Sequence, residues 1–169
     1  IKKGDRVATL AWNGYRHLEL YYGISGIGAV CHTINPRLSP EQMLYIIEHA
    51  GDRLLFVDTT FVPIIEKLIP KLPKNLVIIV MASSDDSSTL SDNFLNYEQL
   101  ILESSHDIIW PELPENTAAG LCYTSGTTGN PKGALYSHRS TVLHALTTSL
   151  NLGPSLGDGM KVLPVVPLF

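Results

Sequence analysis

The sequence predicts an α/β protein with a mostly parallel sheet and helices on both faces of that sheet. Short apolar runs that are typical of strands alternate along the chain with segments whose apolar residues recur at helical spacing. Proline and glycine mark the ends of several segments, as at Asn35-Pro36 and Gly153-Pro154. No internal repeat or low-complexity tract interrupts this order. Such alternation is typical of parallel sheets whose two faces are both covered.

The first half of the chain contains four predicted strands. They span residues 6–11, 29–34, 53–57 and 76–81. The last of them, LVIIVM, is the clearest because β-branched residues, which favour strands, fill most of it.

Three predicted helices connect these strands. Asn13 is expected to cap the first helix. The second begins at Ser39-Pro40-Glu41-Gln42, a capping box with proline in the first helical position, and ends near Gly51. Residues 61–69 carry apolar side chains at i, i+3 and i+4, and Pro63 fits the first turn of this third helix.

Three glycines near the end of the first helix have the spacing G-x-x-G-x-G at Gly23, Gly26 and Gly28. This order is the reverse of the dinucleotide-binding fingerprint G-x-G-x-x-G. We therefore expect close helix packing and a helix end here, not a nucleotide site.

A polar segment, residues 82–93, predicts a solvated loop before the second half of the chain. Asp85-Asp86 is interpreted as part of that surface, because no companion metal ligands follow at suitable spacing. Asn96 is expected to cap a short helix that ends near Leu102.

The second half is predicted to contain three strands and one long helix. The strands span residues 118–124, 134–137 and 161–166. The helix spans residues 139–151, and four apolar residues are expected to face inward: Val142, Leu143, Leu146 and Leu150.

Composition and charge exclude several classes of protein. The 169 residues are 44% hydrophobic and 17% charged, which is ordinary for a globular domain. A formal net charge of −4 provides no general attraction to nucleic acid or to an anionic membrane. The longest apolar runs fall well short of the roughly 20 residues that span a bilayer. Cys31 and Cys122 are expected to be buried, reduced thiols of a cytoplasmic protein.

Residues 123–133, with the sequence YTSGTTGNPKG, predict a site for a polyphosphate. This segment follows an apolar strand and contains four hydroxyl side chains of Ser and Thr, three glycines and one lysine. Glycines bring backbone N–H groups close to a ligand, hydroxyls donate hydrogen bonds or bind a metal, and lysine supplies positive charge. A plain hairpin that binds nothing is the weaker interpretation of this composition.

Two familiar motifs do not fit the segment. A Walker A loop counted from Gly126 needs glycine where Pro131 stands and serine or threonine where Gly133 stands. A nucleophile elbow around Ser125 needs glycines where Tyr123 and Thr127 stand. Ser125 is therefore not expected to be an acyl nucleophile.

The histidines form no HExxH zinc helix. His144 is expected to be a packing residue of the last helix. His138 lies near the start of that helix, where a structural hydrogen bond is favoured over catalysis.

Residues 124–133 resemble the AMP-binding signature of the adenylate-forming acid–CoA ligases. The resemblance extends to residues 26–30, to Asn35-Pro36-Arg37 and to residues 163–169, and so covers essentially the whole chain. Residues 116–120 and 136–140 are most similar to two branches, the medium- and long-chain fatty-acyl-CoA ligases and the 3-methylmercaptopropionyl-CoA ligases.

The resemblance implies a ligase that uses ATP, Mg²⁺ and coenzyme A. A carboxylate would attack the α-phosphorus of ATP, pyrophosphate would leave, and the thiol of coenzyme A would capture the acyl-adenylate. It also implies that Thr127 lies near Mg²⁺ and that the ATP phosphates contact the remaining residues of the signature. These are Thr124, Ser125, Gly126, Thr128, Gly129 and Lys132. A homodimer is expected by analogy alone.

Members of this family continue for several hundred residues, so we expect residues 1–169 to be part of the large N-terminal domain. The C-terminal part of that domain and a small C-terminal domain would then be missing, and the chain alone would not make acyl-CoA. No catalytic residue is assigned within it. Two alternatives remain, a noncatalytic nucleotide- or phosphate-binding module and a purely structural α/β domain.

Overall fold

The strands and helices follow the predicted alternation. The structure is a computed structural model that describes residues 1–83, 91, 93–105, 107–124, 129–152, 159 and 161–169. The strands are β1 (Arg6–Leu10), β2 (Val30–Thr33), β3 (Leu54–Val57), β4 (Val77–Val80), β5 (Leu95–Asn96), β6 (Ala118–Thr124) and β7 (Lys132–Ser137). The α-helices are α1 (Tyr15–Gly26), α2 (Pro40–Ala50), α3 (Val62–Leu68), α4 (Tyr97–Glu103) and α5 (His138–Leu152). Short 3₁₀ turns at Thr59–Phe61 and Ile69–Lys71 flank α3.

Within the described residues the strands form one seven-stranded sheet in the order β5-β4-β3-β1-β2-β6-β7. Neighbouring strands from β5 to β6 are parallel, and β7 alone is antiparallel to its neighbour. The reason is the length of the connection, because parallel strands need a crossover of a dozen or more residues. Only residues 125–131 connect β6 to β7. The predicted α/β class with a mostly parallel sheet is confirmed.

Two apolar clusters lie on opposite faces of the sheet. One joins the sheet to α2 and α3 and includes the fully buried Leu10, Ile46 and Leu55. The other contains residues of α1 and α4, including Leu20 and Tyr97. Burying a Leu or Ile side chain stabilises the fold by about 1.5–3 kcal/mol, so these layers hold the sheet between its helices.

The start of α2 confirms the predicted capping box. The Ser39 hydroxyl accepts a hydrogen bond from the Gln42 backbone N–H at 3.3 Å, and the Gln42 side chain accepts one from the Ser39 backbone N–H at 3.1 Å. The helix ends at Gly51 with a φ of 66°, a left-handed conformation that favours glycine. Asn96 likewise caps α4 as predicted, because its side chain accepts from the Gln99 N–H at 3.1 Å.

The glycine-rich end of α1 agrees with the packing interpretation. A Cβ atom at Gly26 would overlap the ring of Trp110, and Gly28 has a φ of 80° just after the helix. Gly23 has no atom within 4 Å of an added Cβ atom. Packing therefore explains Gly26, the helix end explains Gly28, and neither explains Gly23.

Four predictions about these elements are wrong. Gly14, not Asn13, precedes the first residue of α1, and it makes no side-chain cap bond. Residues 161–166 are not a strand but an irregular segment. The apolar residues of α5 do not face a core, because Val142, Leu143 and Leu146 are 49–57% exposed and Leu150 is 84% exposed. The expected packing role of His144 is also wrong, because its side chain is exposed.

The polar loop before β5 lies mostly outside the described residues, and so do Asp85-Asp86 and the predicted helix stop at Gly153-Pro154. In the part of the chain that the structure describes, no helix is both long enough and apolar enough to cross a bilayer.

Candidate functional site

The signature segment lies at the carboxyl edge of the sheet. Because β1 to β6 are parallel, the segments that follow β1, β2, β3 and β6 all emerge at this edge. In open parallel sheets, ligands bind in the crevice outside the carboxyl ends of the strands. The edge is therefore the place where a ligand site is expected on physical grounds.

The β6–β7 hairpin brings the two ends of the signature together. Thr124 and Lys132 are opposite each other in the antiparallel ladder, and the Thr124 hydroxyl donates to the Lys132 carbonyl at 3.4 Å. Gly129 has a φ of 138°, a left-handed conformation that favours glycine. Ser125, Gly126, Thr127 and Thr128 lie outside the described residues. Their predicted contacts with phosphate and Mg²⁺ stay predictions.

Lys132 presents its side chain to solvent at the start of β7. None of the ion pairs found among the described residues includes it. An exposed ammonium group with no carboxylate partner is available to a phosphate, which it would bind as a point charge.

The described residues contain no group of three or more His, Cys, Asp or Glu side chains that could bind a metal. The signature instead offers hydroxyl oxygens, such as that of Thr124, which is exposed at the end of β6. Mg²⁺ prefers oxygen ligands, keeps several waters and commonly binds through one or two protein groups plus substrate phosphates. Such a donor set fits Mg²⁺ carried by a nucleotide better than a cation held by the protein alone.

Tyr123, the last residue before the loop, has partners that the sequence did not reveal. Its hydroxyl lies 2.7 Å from Nδ1 of His49 on α2, and its ring centroid lies 5.1 Å from that of His32 on β2. Burial raises the pKa of Tyr123, so the hydroxyl stays protonated at neutral pH. Its partners are 74 and 91 residues away in sequence, so no local pattern links them to Tyr123.

A buried, hydrogen-bonded pair of side chains lies behind Tyr123. Nδ1 of His32 is 2.8 Å from Oδ2 of Asp52, and both side chains are fully enclosed. Nε2 of His32 and Oδ1 of Asp52 find no hydrogen-bond partner among the described residues. Burial raises the pKa of Asp52, and the hydrogen bond from His32 opposes that shift.

Asn13 also has a role at this edge that the sequence did not reveal. Its side-chain amide donates to the carbonyls of Pro164 and Val166, each at 2.9 Å. Its carbonyl oxygen accepts from the Leu168 N–H at 2.8 Å. These three bonds hold residues 164–168 against the carboxyl end of β1, and they explain why Asn13 does not cap α1.

His17 stabilises the backbone at the same end of β1. Its Nδ1–H donates to the Trp12 carbonyl at 3.1 Å, so Nε2 is left to accept from the Thr9 hydroxyl at 2.9 Å. Burial lowers the pKa of His17, which favours this neutral form. The backbone just before Asn13 is therefore held by a buried, neutral histidine.

The two cysteines and His138 differ in their surroundings. Cys31 and Cys122 are free thiols, as predicted; the first is buried and the second partly buried. Burial raises the pKa of Cys31 to about 12, which keeps it protonated at neutral pH. The backbone N–H of His138 donates to the Thr117 carbonyl at 3.0 Å, and its ring Nε2 has no partner among the described residues.

Comparison with protein families and curated proteins identifies relatives over the full chain. The sequence profile of the family described as AMP-binding enzyme matches residues 1–169. The chain is 52% identical over 170 residues to the medium-chain-fatty-acid–CoA ligase of Ectopseudomonas oleovorans, covering 100% of this chain and 31% of that protein. It is also 52% identical over 168 residues to the 3-methylmercaptopropionyl-CoA ligase of Ruegeria pomeroyi, covering 98% of this chain and 31% of that protein.

A solved structure agrees with these relatives. The anthranilate CoA ligase AuaEII in complex with anthranoyl-AMP superposes with a TM-score of 0.81 at 27% identity. The match covers 89% of this chain and 28% of that protein. The chain thus spans about 31% of the length of the curated relatives described above.

Proposed function

The chain belongs to the AMP-binding enzyme family, and from this premise we propose that it carries the ATP-phosphate site of an acid–CoA ligase. The observation that carries the proposal is the position of the signature. Its first residue, Thr124, ends β6, and its last residues, Lys132 and Gly133, begin β7, so residues 125–131 connect the two strands at the sheet edge where ligands of parallel α/β sheets bind.

The proposed reaction has two balanced steps. A carboxylate oxygen of the acid bonds to the α-phosphorus of ATP while the bond from that phosphorus to the bridging oxygen breaks, and pyrophosphate leaves with the electron pair. The sulfur of coenzyme A then bonds to the acyl carbon, AMP leaves with its oxygen, and the thiol proton passes to solvent.

The signature would stabilise the charge that builds on the departing pyrophosphate. Lys132 would supply positive charge, and the hydroxyls and backbone N–H groups of the signature would donate hydrogen bonds to the phosphates from positions set before the reaction begins. The proposed phosphate-contacting residues are Thr124, Ser125, Gly126, Thr128, Gly129 and Lys132. Thr127 is proposed to lie beside Mg²⁺, which when bound neutralises phosphate charge.

We infer that the acid is a fatty acid or 3-methylmercaptopropionate, in line with the names of the relatives. This points to fatty acid metabolism for the first acid. We also propose that residues 1–169 belong to a longer ligase whose remaining domains bind the adenine, the acyl group and coenzyme A, so that the 169-residue chain alone makes no acyl-CoA. The free thiols suit a cytoplasmic location, and a homodimer remains an inference by analogy.

The experiment is an exchange assay between ATP and labelled pyrophosphate on the gene product that contains this chain, with a panel of carboxylic acids. Lys132→Ala should lower kcat/KM for ATP by about 10- to 1,000-fold, because a group that stabilises transition-state charge is lost. Its unfolding temperature should not change, since the side chain is exposed. Lys74→Ala, which changes another exposed lysine just before β4 and away from the carboxyl edge, is the matched control.

Each alternative has its own outcome. Unchanged kinetics in the Lys132 variant would refute the assignment of the loop. Binding of Mg²⁺–ATP without exchange for any acid would favour the noncatalytic module. A wild-type protein that neither binds nor exchanges ATP would be a structural domain.

A further inference from the structure

A group of aromatic and charged side chains lies behind the signature loop, on the face of the sheet covered by α2. We call it the Tyr123 cluster; its members are His32, Tyr45, His49, Asp52 and Tyr123. Each member contacts another through a hydrogen bond or a ring contact. All five members precede Thr124, the first residue of the signature, so the signature motif does not account for this cluster.

The outer part of the cluster holds the Tyr123 hydroxyl. Its hydrogen bond to Nδ1 of His49 is 2.7 Å long, and the two rings meet edge to face at 5.8 Å. Tyr45, one helical turn earlier on α2, stacks on His49 with ring centroids 5.3 Å apart. The imidazole is therefore held on two sides, so the hydrogen bond has a fixed direction.

The inner part is the buried pair of His32 and Asp52. Both groups are out of water, so the loss of either partner is costly, since the other would then be a buried polar group without its hydrogen bond. The His32 ring contacts the Tyr123 ring on the side away from solvent, and β2 pairs directly with β6. Tyr123 thus lies between a fixed imidazole on α2 and a fixed imidazole on β2.

Tyr123 also packs closely against β7. It is opposite Gly133, where an added Cβ would lie 3.4 Å from the Tyr123 ring and 3.1 Å from Leu121. The next pair in the ladder is Thr124 with Lys132, which is the base of the loop. A displacement of the Tyr123 ring would therefore displace both strands where they enter the loop.

We propose that Tyr123 is a positioning residue that holds the strand ends on either side of the phosphate loop, Thr124 and Lys132, through its hydrogen bond to His49 and its contact with His32. It does not touch phosphate itself; it sets where the donors of the loop stand before ATP arrives. The role in catalysis rests on the proposed function, whereas the role in holding the hairpin does not.

The test combines two variants, one control and two readouts. Tyr123→Phe keeps the ring and removes only the hydroxyl, and His49→Ala removes its partner. Tyr97→Phe is the control, because it deletes a hydroxyl that bonds to Glu19 at 2.9 Å on the opposite face of the sheet. The readouts are steady-state kinetics of exchange between ATP and pyrophosphate, and amide hydrogen exchange of β6 and β7.

We expect Tyr123→Phe and His49→Ala each to raise KM for ATP by about 5-fold, the effect of one lost hydrogen bond of typical strength. The KM for the acid should stay within about 2-fold of wild type, because the acid does not contact this hairpin in the proposed function. Amides of β6 and β7 should exchange about 5-fold faster in both variants and at the wild-type rate in Tyr97→Phe.

Equal effects of Tyr97→Phe and Tyr123→Phe on KM for ATP would overturn the proposal, since a general loss of stability would then explain both. Unchanged hydrogen exchange in the Tyr123 and His49 variants would overturn it as well. If the wild-type protein shows no exchange activity with any acid, the proposed function fails, and hydrogen exchange still decides whether Tyr123 holds the hairpin.

Discussion

Buried polar side chains hold the carboxyl edge of the sheet, and His17 is one whose protonation state follows from its contacts. A backbone carbonyl can only accept a hydrogen bond, so the contact with Trp12 places a proton on Nδ1. Nε2 then accepts from Thr9, and a second proton would remove that acceptor. Nδ1 of His32, in contrast, contacts a side-chain carboxyl group, that of Asp52, and not a backbone carbonyl.

The lowered pKa of His17 predicts a pH dependence of stability. The unfolded chain, with an ordinary pKa of 6.5, binds the proton more readily than the folded chain. The stability contributed by neutral His17 is therefore present above pH 6.5 and is lost as the pH falls from there through the lowered pKa of the folded state. The slope approaches about 1.4 kcal/mol per pH unit at most.

Urea unfolding of wild type and His17→Gln at pH 7.5 and 5.5 measures this effect. Wild type should lose more free energy of unfolding between the two pH values than the variant does. The two proteins differ only at residue 17, so the contributions of all other groups cancel in the comparison. Equal losses would show that His17 does not carry the pH dependence.

The elements differ in how much of their structure local sequence determines. Helix α2 begins and ends at signals within its own few residues, namely the capping box at Ser39 and the left-handed Gly51. Residues 161–166 carry apolar residues that suggest a strand, but no neighbouring strand pairs with them among the described residues. Two of their backbone carbonyls accept hydrogen bonds from the side chain of Asn13, which lies 151 and 153 residues earlier in the sequence.

Removal of the Asn13 side chain should release that segment. Asn13→Ala deletes three hydrogen bonds, but the freed backbone groups are exposed and can bond to water, so the expected loss of stability is only about 1 kcal/mol. Amide exchange at Leu168 should accelerate strongly, because its N–H donates to Asn13. Asn75→Ala, an exposed asparagine before β4, is the control and should leave this amide unchanged. Unchanged exchange in the Asn13 variant would show that other contacts hold the segment.

At the scale of the whole molecule, β7 and α5 expose many apolar side chains. Val142, Leu143 and Leu146 of α5 are 49–57% exposed, and Leu135 and Tyr136, on opposite faces of β7, are 63% and 49% exposed. Exposed apolar surface of this kind marks a contact with another part of a protein or with another molecule. The two apolar clusters on the sheet faces, in contrast, are covered by α1 to α4.

The 169-residue chain on its own should therefore self-associate. We expect its apparent mass in sedimentation to rise with concentration, and the double variant Leu143→Glu/Leu146→Glu to reduce that rise by placing charges on the α5 surface. Leu102→Glu, a 74% exposed leucine on α4, is the matched control and should behave as wild type. A wild-type chain that stays monomeric at all concentrations would contradict this expectation.

The sequence by itself determined the features that depend on neighbouring residues. It predicted the parallel α/β class, the capping box at Ser39, the cap at Asn96 and the family signature at residues 124–133. These features are readable because propensity, capping and turn chemistry act over a few residues.

Only the tertiary structure decided the contacts of Asn13, His17 and Tyr123 and the exposure of α5. Asn13 bonds to residues more than 150 positions away, and Tyr123 bonds to a helix 74 positions earlier. Helical periodicity shows that α5 has an apolar face, but it does not show what covers that face. Burial and long-range hydrogen bonds depend on which elements become neighbours in space, and that is a property of the folded chain.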